Sequence, residues 1–327
     1  MKDVERAVYH TVAAALYSER ERERERLEAE EPPRPEPERL PVVVGVDGPA
    51  AALEAARWAA REAGRLGLPL RLTHASDLPP FNPKAHTPIP PSYEEALVQS
   101  GHEWLREAAD RVAAEAPGVA VDWDVRVGGT VEVLVEESAA ARMLVVGSRG
   151  LGGFRRMLVG SVAVAVAAHA RCPVVVVRAE EVAEQAEDIV VGVDGSSLSA
   201  AALAFAFEEA AARGARLVAV RAWRDPSADD LWAGLVLRDD IAAIEAGERR
   251  GLRREIASWR EKYPAVEVDE RLVHADRPAE ALLDAAGNAQ LIVVGSHGRG
   301  AVVGAVLGST GQRLLHTARC PVAIVRP

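Results

Sequence analysis

The sequence predicts an α/β protein made of two tandem, doubly wound, parallel five-stranded sheet domains of Rossmann-like type. Three observations lead there. The chain contains itself twice, each copy alternates apolar strands with helices, and each copy carries a glycine-rich loop after its fourth strand. Residues 141–178 align with 289–326 without a gap, and 16 of the 38 positions are identical. The start of each copy matches as well, VVVGVDG at 42–48 against IVVGVDG at 189–195. A repeat this long means duplicated domains, not a solenoid. The expected organisation is an N-terminal arm at 1–40, a first domain at 41–178 and a second at 187–327, with a short acidic joint between them.

In the first copy, VVVGV (42–46) reads as a buried strand of β-branched residues. An Ala-rich helix follows from Ala50 to Leu66, with Pro49 suited to its first turn. Leu70–Ala75 is a second strand. A Pro-rich loop at 78–91 leads into a helix over 92–116, a third strand near 119–127 and a short helix at 130–141. MLVVG (143–147) is strand four, a helix spans about 160–170, and PVVVV (173–177) is strand five. The second copy places strands near 189–193, 216–222, 266–273, 291–295 and 321–325. Continuous apolar strands separated by helices imply a parallel sheet covered on both faces. Right-handed crossovers then put a ligand crevice at the carboxyl ends of strands one and four. The valine- and isoleucine-rich last strands, 173–177 and 321–325, are too apolar to leave as open edges. They are expected to pair with each other or across chains.

Length and composition narrow the function. The 327 residues are 49% apolar and 27% charged, which excludes a mostly disordered or collagen-like chain. No run of about 18 apolar residues suggests a membrane span. With no secretory leader and only Cys172 and Cys320, a cytoplasmic protein without disulfides is expected. Each cysteine precedes a proline at an equivalent position and reads as a small packed thiol. The 39 basic and 49 acidic residues give a net charge of -10, which argues against nucleic acid or anionic lipid as a partner. A small anion stays open, because backbone dipoles can hold phosphate on an acidic protein. Residues 1–40 alternate charge and then run EPPRPEPE. They read as a solvated arm or as a docking helix.

Candidate chemistry sits after strand four. Copy one has Gly147, Gly150, Gly160 and Ser161, and copy two has Gly295, Gly298, Gly308 and Ser309, at the same spacing. Glycine permits positive φ and close approach of a ligand to the backbone. The Gly-Ser pair opens a helix whose free N–H groups and dipole favour an anion. The plainer alternative is a tight turn that merely needs glycine. Arg155 and Arg156 lie inside the first loop, as phosphate clamps or as solvated side chains. Asp47 and Asp194 end strand one of each copy. An acid there can bind a ribose hydroxyl, help hold a metal on phosphates, or cap the next helix. The P-loop pattern is absent, and no lysine lies near either glycine loop. GxGxxG fails at Arg155 and at Val303. No catalytic residue and no resident metal site are assigned.

Strand-Asp-Gly, then Gly-2x-Gly-9x-Gly-Ser, then ARCPV before the last strand together resemble the universal stress protein family. VGVDGSSLSAAAL in the second copy is similar to that family's opening. The resemblance covers nearly all of 41–327. It implies ATP as ligand, with Mg an optional companion. Carried over by position, Gly147, Gly150, Gly160 and Ser161 would hold phosphates and ribose in site one, and Gly295, Gly298, Gly308 and Ser309 in site two. Asp47 and Asp194 match the family's strand-one acid. Ala75 and Ala222 match the backbone position that reads adenine. Pro49 and Ala50 depart from the family's usual serines. The resemblance also implies a pseudo-dimer of the two domains, with a homodimer and an unidentified protein partner compatible with it. The leading reading is an ATP-binding stress-response module with two sites, acting by its binding state. The alternatives are a slow Mg-dependent ATPase or phosphotransferase using Asp47 or Asp194, and a nucleotide-free interaction scaffold.

Overall fold

The computed structural model describes residues 40–48, 51–77, 91–148, 159–178, 187–224, 238–287, 289–298 and 307–326. The expected N-terminal arm, the joint at 179–186, the Pro-rich loop at 78–90, Pro49, Gly150, Arg155 and Arg156 lie outside the described residues.

In the first half the order is β1 (Val42–Gly45), α1 (Ala51–Leu66), β2 (Leu70–Ser76), α2 (Pro91–Glu115), β3 (Val121–Val127), α3 (Thr130–Glu137), β4 (Met143–Gly147), α4 (Ser161–His169) and β5 (Val174–Val177). The second half repeats it as β6 (Asp188–Gly192), α5 (Ser197–Arg213), β7 (Arg216–Trp223), α6 (Arg238–Lys262), β8 (Val268–His274), α7 (Pro278–Ala285), β9 (Ala289–Gly295), α8 (Ser309–Thr317) and β10 (Val322–Val325). Both third strands start later than expected. Val119 N–H bonds the Ala116 carbonyl and Val266 N–H bonds the Tyr263 carbonyl. The residues before each strand are thus spent in turns, which Pro117-Gly118 and Pro264 favour. The helix expected over 130–141 stops at Glu137 and tightens into a 3₁₀ turn, Ser138–Ala140.

The ten strands form one sheet in the order β3-β2-β1-β4-β5-β10-β9-β6-β7-β8. Each half is parallel within itself. The two halves join where β5 meets β10 antiparallel, with Val322 opposite Val176 and Ile324 opposite Val174. The apolar last strands therefore pair within the chain. Helices cover both faces. One core runs under α1, α2, α5 and α6 across both halves, and a second lies under α3, α4, α7 and α8. The sheet ends at β3 and β8. On β3, Trp123 and Val127 are exposed, while Asp122 and Asp124 discourage further strand pairing.

Cys172 and Cys320 are buried and free. Burial pushes their thiols up, to about 12 for Cys172 and about 11 for Cys320. The thiolate is the reactive form. Labelling by iodoacetamide at pH 8 should be negligible in the folded protein and complete in urea. Rapid labelling of either cysteine in the folded state would contradict this packing.

Candidate functional site

The second half contains a cavity of about 520 Å³ at the carboxyl ends of β6, β7 and β9. Its volume is in the range of small-molecule sites, about 300–1,000 Å³. It opens where strands one and four of that half lie side by side, the switch point of a doubly wound sheet. Six residues expected from the sequence line it together: Asp194, Ala222, Gly295, Gly298, Gly308 and Ser309.

The geometry changes the expected role of the glycines. Positive φ occurs at Gly195 (84°) and Gly48 (121°), directly after the strand-one acids, and not at the glycines of the described loop ends. Gly308 has φ −64° and ψ 149°, and Gly160 has φ −72° and ψ 151°, values open to any residue. What Gly308 needs is room. A Cβ on Gly308 would lie 3.1 Å from the Ser296 carbonyl oxygen and the His297 Cα. One on Gly295 would lie 3.1 Å from the Leu198 carbonyl, so that glycine admits the first turn of α5. One on Gly298 would stand 3.0 Å from Asp194 Oδ2.

Nor do all the glycine amides face the cavity. Gly308 N–H donates to the Ser296 carbonyl at 2.8 Å, and Gly160 N–H donates to the Ser148 carbonyl at 2.7 Å. Those bonds shut the loop onto the strand end. The first backbone bond back within α8 is Gln312 N–H to the Gly308 carbonyl. Helix geometry therefore leaves the N–H groups of Ser309, Thr310 and Gly311 without intrahelical acceptors. All three residues line the cavity. Thr310 and Gly311 were missed from the sequence, although their place just after the Gly-Ser pair is the signal that finds them. Pro278 and Leu282 of α7 also line it. Leu282 packs over Gly192 as Leu134 packs over Gly45, at the matching place in the first half.

Asp194 serves local structure first. Its Oδ1 accepts from Ser196 N–H at 2.9 Å and from Ser196 Oγ–H at 2.6 Å. Ser196 Oγ then accepts from Ser199 N–H at 3.2 Å and caps α5. Asp194 is thus not itself the cap. It orients the serine that is. His297, where the first half has Arg149, lines the cavity with its Nδ1 3.3 Å from Ser296 Oγ. Among the described residues no group of three or more His, Cys, Asp or Glu is placed to hold a metal ion.

In the first half, Asp47, Ala75 and Gly147 stand at the carboxyl ends of the neighbouring strands β1, β2 and β4. Gly160 is tied to Ser148, and Ser161 opens α4. The described parts of the first half thus repeat the second at the strand ends and at the helix start.

Fold and crevice together define a twice-built, doubly wound α/β protein with a cavity at the switch point of its second half. The model of the universal stress protein family matches residues 38–178 and again 186–326. The chain belongs to the universal stress protein family, as a tandem member. It is 37% identical over 294 residues to universal stress protein Rv2005c of Mycobacterium tuberculosis, covering 87% of this chain and 96% of that one. It is 36% identical over 293 residues to Rv2623 of the same organism, covering 88% and 96%. Among solved structures, a universal stress protein from Archaeoglobus fulgidus superposes with a TM-score of 0.65 at 19% identity, over 88% of this chain and 97% of that one. That likeness is one of fold. Among the described residues no helix is long and apolar enough to cross a membrane.

Proposed function

We propose that this protein binds ATP in the second-half cavity and in a corresponding first-half site, and acts through its binding state. The observation that carries this reading is the cavity itself. It brings six positions chosen from sequence to one place, beside three helix-start amides with no intrahelical acceptor. Phosphate would lie on the N–H groups of Ser309, Thr310 and Gly311, where the dipole of α8 favours negative charge. The Ser309 hydroxyl would add a donor. Asp194 would face the ribose, and the backbone at Ala222 the adenine. A magnesium ion would ride on the phosphates with water as its main ligands, Asp194 being the acid among the described lining residues. The turnover reading is weaker, because Asp194 Oδ1 is already engaged by Ser196.

Calorimetric titration with ATP tests this on wild type and on Ser161→Asp/Ser309→Asp. A carboxylate at a helix start suits the helix but repels phosphate. Each substitution should weaken its site about tenfold or more, the worth of hydrogen bonds to a charged group. Unchanged affinity in the double variant would defeat the assignment.

A further inference from the structure

The two halves hold each other by a reciprocal pair of arginines outside either crevice. Arg178 follows β5 in the first half. Its guanidinium donates to the carbonyls of Leu315 and His316 at 2.9 and 2.8 Å, in the last turn of α8. Arg326 follows β10 in the second half and donates to the carbonyl of Ala168, in the last turn of α4. Positions 178 and 326 correspond at the repeat offset, as do 168 and 316. These carbonyls are the ones a helix end leaves without a partner, and a cation there complements the dipole. The helices so capped, α8 and α4, are those whose opposite ends face the two proposed phosphate positions.

The contacts close into a ring. Val177 precedes Arg178 and accepts from Ser148 N–H at 2.7 Å. Ser148 accepts from Gly160 N–H at 2.7 Å, at the start of α4. Val325 precedes Arg326 and accepts from Ser296 N–H at 2.9 Å, and Ser296 accepts from Gly308 N–H at 2.8 Å, at the start of α8. Each terminal strand therefore bonds through its backbone to the end of strand four, and so to the helix start, of its own half, and through its arginine to the end of the other half's corresponding helix.

Resting on the ATP reading above, we propose that Arg178 and Arg326 are crossed positioning residues, Arg178 setting the anion affinity of site two and Arg326 that of site one. Neither arginine touches its dependent ligand. Each offsets the negative end of a nine-residue helix and holds its start in place, so the amides at the other end present a stronger and better ordered field. A consequence is that ligand in one site, by holding that half's helix start and, through Ser148 or Ser296, its last strand, favours ligand in the other.

The test uses full-length protein and ATP, with one site closed at a time. Ser161→Asp leaves site two open, and Ser309→Asp leaves site one open. Arg178→Gln should weaken ATP about threefold to tenfold when only site two is open, and change nothing when only site one is open. Arg326→Gln should do the reverse. Arg178→Lys and Arg326→Lys, which keep the charge, should restore most of the affinity. They also carry the same crossed comparison at smaller size if a glutamine variant does not fold. Equal weakening of both sites by either arginine variant, or no effect at the crossed site, overturns the proposal. Wild type that binds no ATP defeats the ATP reading itself, and this inference with it.

Discussion

Arg213→Met should destabilise the protein by about 3–5 kcal/mol at pH 9, where the buried Glu209 carboxyl is ionised, because it leaves that charge without its counter-ion. Glu62 of α1 and Glu209 of α5 occupy corresponding positions of the two copies, and both are fully buried. Arg213 lies between them, its Nη2 2.5 Å from Glu62 and 3.1 Å from Glu209, with its side chain 3% exposed. It also donates to Gln290 at 3.3 Å and stacks over Trp58. Arg65 also reaches Glu62, at 3.2 Å, from a more exposed position. One Oε1 of each glutamate already lacks a hydrogen-bond partner. Urea unfolding checks the prediction, and the loss should shrink on moving to pH 5, where the Glu209 carboxyl is protonated. A loss independent of pH would mean that lost packing, not charge, is the cause.

Glu209→Gln should stabilise the protein at pH 8 by on the order of 2 kcal/mol and flatten its pH profile. Burial pushes the Glu209 carboxyl up to about 8 from an ordinary value of 4.5. The neighbouring Glu62 carboxylate adds to that rise, and Arg213 opposes it. Between those two values the folded protein binds more protons than the unfolded chain. Stability from this group is therefore full below pH 4.5 and is lost as pH rises through about 8. Glutamine keeps the shape without the ionisation. Urea midpoints of wild type and variant across pH 5–9 should diverge steadily up to about pH 8. Parallel profiles would remove Glu209 from the account.

Much of the architecture was legible because its causes are local. Val42–Val44 and Val174–Val177 are continuous β-branched runs that only a sheet covered on both faces can bury. The repeat located the halves, and the valine-rich ends pointed to β5–β10 pairing. Strand bounds slipped where turn residues competed with β-formers, at Val119 and Val266. In the candidate site, the glycine spacing pointed to the end of the sheet where the second-half cavity opens, and of the two uses expected for glycine, close approach is the one seen at Gly295, Gly298 and Gly308. Gly308 has an ordinary φ, and the backbone of Ser296 and His297 leaves no room there for a Cβ. Thr310 and Gly311 escaped notice because amides carry no side-chain signature.

What the chain by itself determined is the repeated α/β pattern, the strand ends where the second-half cavity opens and the helix start that lines it, since hydrophobic period and turn chemistry act over a few residues. Only the tertiary structure decided that Glu62 and Glu209 share Arg213, and that Arg178 and Arg326 cap helices of the opposite half. Arg213 and Glu62, and each of the other two arginines and the helix end it caps, lie more than 130 residues apart along the chain. Charged residues on a helix or at a strand end look solvated until the packing of two halves removes the water around them.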